Sequence, residues 1–269
     1  MNTRLEGGAS LRGRVKRSEP DKPLVTIITA TYNAAKYLPA AIQSIREQTY
    51  GNIEYIVVDG ASTDGTVDVL KANEDVIDYW ISAPDKGIYD AWNKGVRLSG
   101  GDWIAFLGAD DIYLEGAIQV YMTSIHACRD NLPQYVSSRV NLSSGSKVLH
   151  TIGQQWNWKA FQKYMNVAHV GSLHHRLLFE RYGLFDESYK ICGDYEFLLR
   201  PGSNLHAAYL NEITVNMSVG GISSASFQVF KETERAKTAT GGRSFLLSYV
   251  EKYWAIAKWK LRSYLCSQT

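Results

Sequence analysis

The 269-residue chain is 45% hydrophobic and 21% charged and carries a formal net charge of +2. That is the composition of a soluble globular enzyme, with room for one large α/β domain or a domain plus a helical appendage. So small a charge excess gives no case for nucleic-acid binding. No apolar run reaches the roughly 18 residues of a membrane span. Cys128, Cys192 and Cys266 are widely spaced without a CxxC, which argues against a disulfide framework or zinc site and fits a reducing cytoplasm.

Residues 1–22 hold Arg4, Arg12, Arg14, Lys16 and Arg17 among Gly and Ser and read as a mobile basic arm, without the apolar core of a signal peptide. Order is expected from Pro23. Leu24–Ala30 is short and rich in β-branched residues, a buried strand. Leu38, Ala41, Ile42 and Ile45 then recur at helical spacing. Ile53–Val58 is a second strand, ending at Asp59-Gly60, and Ser62-Thr63-Asp64-Gly65 can cap a short helix. Val76–Ser82 is a third strand, Ile88–Leu98 a helix and Trp103–Leu107 a fourth strand running into Gly108-Ala109-Asp110-Asp111. Leu114, Ile118, Tyr121, Met122 and Ile125 form a helical stripe. Further on, Tyr135–Val140 and Lys147–Thr151 flank a turn at Ser143-Ser144-Gly145. Arg176–Tyr182 and Asp194–Arg200 read as short helices, and the chain beyond Ser223 as helical.

Alternating strands and helices imply a mostly parallel, Rossmann-like α/β sheet flanked by helices. Ligands of such sheets bind beyond the carboxyl ends of the strands. Thr29 to Asn33, Asp59 to Asp64 and Asp110-Asp111 all fall at those ends.

Adjacent aspartates after a strand can divide a task, one meeting ribose hydroxyls and the other a hard cation that also binds phosphate oxygens. They are equally the composition of a solvated turn. Asp59 could accept from a nucleobase N–H or cap a helix, and Tyr32 could stack on a base or on the surface. Asp85 to Gly95 gathers acids, Lys86, Lys94 and Asn93 at a helix start, which favours anions; the same residues could simply cap the helix. Asp194 could serve as a general base or a cap. The adjacent pair His174-His175 could contact an acceptor, or divide between core and surface.

Taken together, Thr26–Asn33 (TIITATYN), Val57–Thr66 (VVDGASTDGT), Pro84–Gly95 (PDKGIYDAWNKG), Gly101–Asp111 (GDWIAFLGADD), Gly183–Glu187 (GLFDE) and Gly193–Arg200 (GDYEFLLR) resemble family 2 glycosyltransferases with the GT-A fold. The DKGIYDA segment is similar to a branch that builds bacterial exopolysaccharides, colanic acid and O-antigens. The resemblance implies a donor nucleotide site at Ala30, Tyr32, Asp59, Asp85, Lys86 and Asp110, a divalent metal (Mn²⁺ or Mg²⁺) at Asp111, and Asp194 as base of an inverting transfer. Glu196 is second in line for that role, and His174, His175 and Glu196 are candidates for the acceptor. The implied donor is a UDP-, GDP- or dTDP-sugar and the acceptor a saccharide or lipid-linked hydroxyl. Two departures stand out: Trp92 replaces a more usual methionine, and Gly193 stands where the family often has Glu.

The expected division is an arm over 1–22, a GT-A domain over 23–222 (donor half to about 127, acceptor half from 128) and a helical extension over 223–269. In that extension Leu246, Val250, Tyr253, Trp254, Ala257, Leu261, Tyr264 and Leu265 share one helical face, with Lys252, Lys258 and Arg262 off it. Such a helix suits a membrane surface, packing on the domain, or a second copy of the chain. A cytoplasmic protein, peripheral at the inner face of the membrane, is the matching location. The competing readings are a sugar nucleotidyltransferase, which would want a Gly-rich basic loop after the first strand, and a non-catalytic sugar-nucleotide scaffold.

Overall fold

The computed structural model describes residues 4–128, 131–220 and 226–266, with side chains described up to residue 261. A single mixed sheet runs in the order β1-β4-β3-β2-β5-β9-β7-β10-β6, with β8 paired to β7. Its parallel heart is β4 (Tyr79–Ser82), β3 (Ile53–Asp59), β2 (Val25–Thr31) and β5 (Trp103–Phe106). Strand order reverses beside β2: the chain steps outward through β3 and β4, then returns to place β5 on the other flank. The carboxyl ends of β2 and β5 therefore border the crevice in which such sheets bind ligands.

These strands are buried on both faces, which is why they read as unbroken apolar runs rather than alternating ones. Val25, Ile27, Tyr55, Val57, Trp103 and Ala105 pack under α1 (Leu38–Arg46), α2 (Thr66–Ala72) and α4 (Ala117–Ala127). On the other face, Ile28, Ile56, Val58, Ile104 and Phe106 meet α3 (Ile88–Leu98), α6 (Arg176–Tyr182) and α7 (Gly193–Leu199). At Gly95 a Cβ would lie 2.5 Å from Ile28 Cγ2, so α3 can approach β2 this closely only with glycine there.

The second half adds antiparallel β9 (Ser172–His175) beside β5, then β7 (Tyr135–Ser144), which forms the expected hairpin with β8 (Lys147–Ile152). A strand that the sequence did not disclose, β10 (Ala207–Ser218), runs parallel to β7, and its far side pairs with the two-residue β6 (Ile112–Tyr113). A single turn of helix, α5 (Trp158–Phe161), precedes β9. The last elements are α8 (Gln228–Ala239), which packs on α7, and α9 (Phe245–Cys266), which packs on α8.

The described part of the N-terminal arm is not loose, contrary to expectation. β1 (Leu5–Gly7) pairs antiparallel with β4, and Lys16 forms a 2.7 Å ion pair with the buried Asp78. Arg12 pairs with Glu74, and the Arg14 guanidinium reaches the Asp75 carbonyl at 3.4 Å. Arg12 and Lys16 of the arm thus answer two acids, Glu74 and Asp78, that lie some sixty residues away in sequence.

Candidate active site

The carboxyl edge of the sheet is shaped by hydrogen bonds between loops. Asn33, after β2, takes φ 49°, and Ala61, after β3, takes φ 64°; among the described residues these are the only non-glycine positions with positive φ. Both conformations are strained for such side chains and recur at binding sites. The Asn33 backbone N–H donates to Ser62 Oγ at 2.7 Å, and its Oδ1 accepts from Thr63 N at 3.0 Å. Asp64 accepts from Ala35 N and Thr66 N, both at 3.0 Å, and the Thr66 hydroxyl helps hold its carboxyl below the usual range.

Asp59 ends β3 but is fully buried. Its oxygens accept from the Ser62 hydroxyl, Ser62 N at 2.9 Å and the Ser82 hydroxyl at 2.6 Å. The carboxylate expected to read a nucleobase is therefore spent on fixing the 60–66 turn. Tyr32, 68% exposed, and Asp85 both border the space that a side chain on Gly60 would fill. A Cβ on Gly60 would lie 2.7 Å from Asp85 Oδ2 and 3.3 Å from the Tyr32 ring. Ala30, in β2 two residues before Tyr32, is part-buried. Asp85 Oδ1 accepts from Gly87 N at 2.8 Å and so anchors the start of α3, where Lys86 is exposed.

Asp110 and Asp111 follow β5 and differ in exposure. Asp110 is exposed, and Asp111 is buried. Asp111 Oδ1 accepts from Ser218 N at 2.9 Å, while the Ser218 hydroxyl donates to Asp110 O at 2.7 Å. Burial, reinforced by the Asp110 charge, pushes the Asp111 carboxyl up to about 7. Gly108 is required here because a Cβ would sit 2.5 Å from Asp111 Oδ2.

Asp194 occupies the first turn of α7. Its Oδ1 accepts from Tyr195 N at 2.9 Å and lies 3.1 Å from the Tyr89 hydroxyl, which also reaches Ile191 O at 2.7 Å. Burial raises the Asp194 carboxyl to about 6, against the pull of those hydrogen bonds. The glycine before it has a cause: a Cβ on Gly193 would fall 2.8 Å from the Tyr89 ring. Behind Asp194, Glu232 of α8 accepts from Lys190 N at 3.0 Å, Ile191 N at 2.8 Å and Cys192 N at 2.9 Å. Sequence reasoning had marked neither Glu232 nor Ser218.

Three expected acceptor residues lie elsewhere. His174 is fully buried opposite Ile104, among Phe106, Tyr135 and Phe179, and burial holds it well below its ordinary pKa. His175 pairs with Trp103 at the amino end of β5, away from the carboxyl edge, and its Nδ1 caps α6. Glu196 is buried, held by both Arg200 Nε (3.1 Å) and Nη2 (2.6 Å), and accepts from the Thr240 hydroxyl at 2.9 Å. Its carboxylate is a structural partner of arginine.

A parallel sheet that carries a strained, acid-bearing crevice at its carboxyl ends and a lifted carboxyl on a facing helix is the architecture of a GT-A glycosyltransferase. The sequence profile of glycosyl transferase family 2 matches residues 26–182, and the chain belongs to that family. Glycosyltransferases of PGL/p-HBAD biosynthesis from Mycobacterium bovis and Mycobacterium tuberculosis are 30% identical over 215 residues, 75% of this chain and 79% of theirs. Among solved structures, S. aureus TarS 1–349 in complex with UDP-GlcNAc superposes with a TM-score of 0.67 at 15% identity, over 84% of this chain and 69% of that one. Mannosyltransferase PcManGT from Pyrobaculum calidifontis, in complex with GDP-Man and Mn²⁺, gives 0.58 at 17% identity, over 91% and 77%. At these identities the two structures speak for the fold. Family membership places the chain among glycosyltransferases rather than sugar nucleotidyltransferases.

Proposed function

We propose that the protein transfers a sugar, with inversion, from a nucleoside diphosphate sugar to a hydroxyl of a saccharide or lipid-linked saccharide in bacterial surface polysaccharide synthesis. The observation that carries this reading is Asp194: a carboxyl lifted to about 6, held by Tyr89 and the Tyr195 N–H on the first turn of α7. A base with that value is ionised at neutral pH yet more basic than a solvated aspartate, which suits proton removal from an alcohol.

The donor lies across the carboxyl ends of β2, β3 and β5 in this reading. Tyr32 offers its ring to the base, Asp110 its carboxylate to the ribose, and Asp85 and Lys86 line the diphosphate side. Asp111 suits a divalent cation: it is a desolvated carboxyl raised to about 7, beside a second carboxylate. Among the described residues no group of three or more His, Cys, Asp or Glu is gathered for a metal. A cation held by one or two carboxylates, with the diphosphate completing its sphere, fits that count. When bound, it offsets charge on the departing diphosphate. Asp194 takes the proton of the acceptor hydroxyl, and the oxygen bonds to the anomeric carbon from the face opposite the diphosphate. The bond to the diphosphate breaks, and its electron pair leaves with that group.

A thermal-shift panel of UDP-, GDP- and dTDP-sugars with Mn²⁺ tests donor class. Binding at 100 times the dissociation constant raises stability by about 2.7 kcal/mol. Proton NMR of the product reads the stereochemistry, and an α-linkage from an α-linked donor would refute inversion. A sugar-nucleotide scaffold would bind a donor from the panel without any turnover.

A further inference from the structure

The last long helix is amphipathic in the reverse sense. At 3.6 residues per turn, its inward side carries Ser248, Glu251, Lys252 and Ile256. Glu251 pairs with the buried Lys237 at 3.1 Å and with Arg243, and Lys252 pairs with Glu234 at 2.7 Å. The charged groups on the inward side of α9, Glu251 and Lys252, are thus paired with α8 and the loop between the two helices. The opposite side presents Leu246, Val250, Tyr253, Trp254, Ala257 and Leu261. Leu246 is 72% exposed, Val250 60%, Trp254 63% and Leu261 60%. That stripe extends about 23 Å along the helix, and contiguous exposed apolar surface on this scale marks an interaction site.

Charge decides what covers it. Lys258 and Lys260 are exposed on the two borders of the stripe, Lys258 with its Nζ 5.0 Å from the Trp254 ring centroid. The one acidic residue of α9, Glu251, faces inward and is already paired. A second copy docked stripe to stripe would bring apolar and basic groups against apolar and basic groups, with no acid to meet the lysines. An anionic lipid surface meets both: its acyl boundary takes the apolar stripe, its headgroups take the lysines, and Tyr253 and Trp254 suit the interface between. No helix among the described residues is long and apolar enough to cross a membrane, so α9 lies along the surface. We propose that the outward face of α9 docks the enzyme on an anionic bilayer, independently of how the active site works.

The test is flotation of the full chain with phosphatidylcholine vesicles, with and without phosphatidylglycerol, at low and high salt. Binding should be stronger with the anionic lipid and weaken with salt. Lys258→Gln with Lys260→Gln should lower affinity by roughly 25-fold, taking about five-fold per lysine near the surface. Trp254→Ser, a change on the solvent side that leaves the core intact, should lower it at least ten-fold with the thermal midpoint unchanged. Absence of binding to either vesicle overturns the proposal, as does binding indifferent to these substitutions. A dimer in sedimentation that Val250→Glu dissociates, without vesicle binding, assigns the stripe to a second copy and overturns it too.

Discussion

The Tyr89 hydroxyl of α3 lies 3.1 Å from Asp194 Oδ1 of α7, joining the helix that Asp85 anchors to the helix that carries Asp194. The same ring occupies the space that a side chain at position 193 would need. Tyr89→Phe keeps the ring and removes the hydroxyl. Because that hydroxyl holds the Asp194 carboxyl down, the acidic limb of the kcat–pH profile should move upward from about 6. Loss of its hydrogen bonding should cost about 1 kcal/mol in denaturant unfolding. An unmoved limb would separate Tyr89 from the base.

Glu232 governs the backbone that leads into Asp194. Although burial opposes it, the N–H groups of Cys192, Ile191 and Lys190 hold the Glu232 carboxyl below its usual range. Glu232→Gln leaves one strong acceptor for those donors. Turnover should fall roughly ten- to a hundredfold through misplacement of Asp194, while the donor KM, set at the sheet edge, stays unchanged. Steady-state kinetics with varied donor checks this; a rise in KM at constant kcat would contradict it.

Glu196 and Asp194 stand two residues apart and have different partners, Arg200 for the one and Tyr89 for the other. Glu196→Ala strands the Arg200 guanidinium, whose Nη1 also donates to Tyr182 O and Leu184 O at 2.8 and 2.7 Å. Breaking so enclosed a pair should cost about 3 kcal/mol, read as a lowered denaturation midpoint. The turnover of the folded fraction should remain near that of the parent protein.

Two part-buried groups impose opposite pH slopes on stability. Asp194 has a folded value of about 6, above the ~3.9 of an unfolded chain. Its contribution is present below about 4 and lost as pH rises through 6. Asp194→Asn should therefore be more stable than the parent above pH 6 and converge with it below about 4. His169, stacked against both Trp92 and Phe106, is held down to about 3 by burial, under an unfolded value of ~6.5. Its contribution is present above about 6.5 and lost as pH falls toward 3. His169→Phe should flatten the acid side of the stability curve. Thermal midpoints across pH check both.

The parallel strands were legible because each is a short apolar run buried on both faces, and the acids at their ends stood out by position. The helices Ile88–Leu98 and Arg176–Tyr182 were read with their observed bounds, since Gly87 and Gly183 punctuate them. What escaped is long-range. β10 carries Asn211 and Glu212 in mid-strand and has no clear period, so Ser218 was not seen to reach Asp111. The basic arm looked loose because its acidic partners are distant in sequence. His174 looked available because nothing in a pair of adjacent histidines says which one a sheet will enclose. Of the extension, Arg262, Tyr264, Leu265 and Cys266 have side chains outside the described residues.

The proposed role of Asp194 as the base is open to a direct measurement. With Mn²⁺ and the donor and acceptor that the parent protein uses, Asp194→Asn should lose roughly 10²–10⁴ in kcat, with its donor-induced thermal shift intact. A variant that binds donor equally well and turns over within a few-fold of the parent would contradict that role.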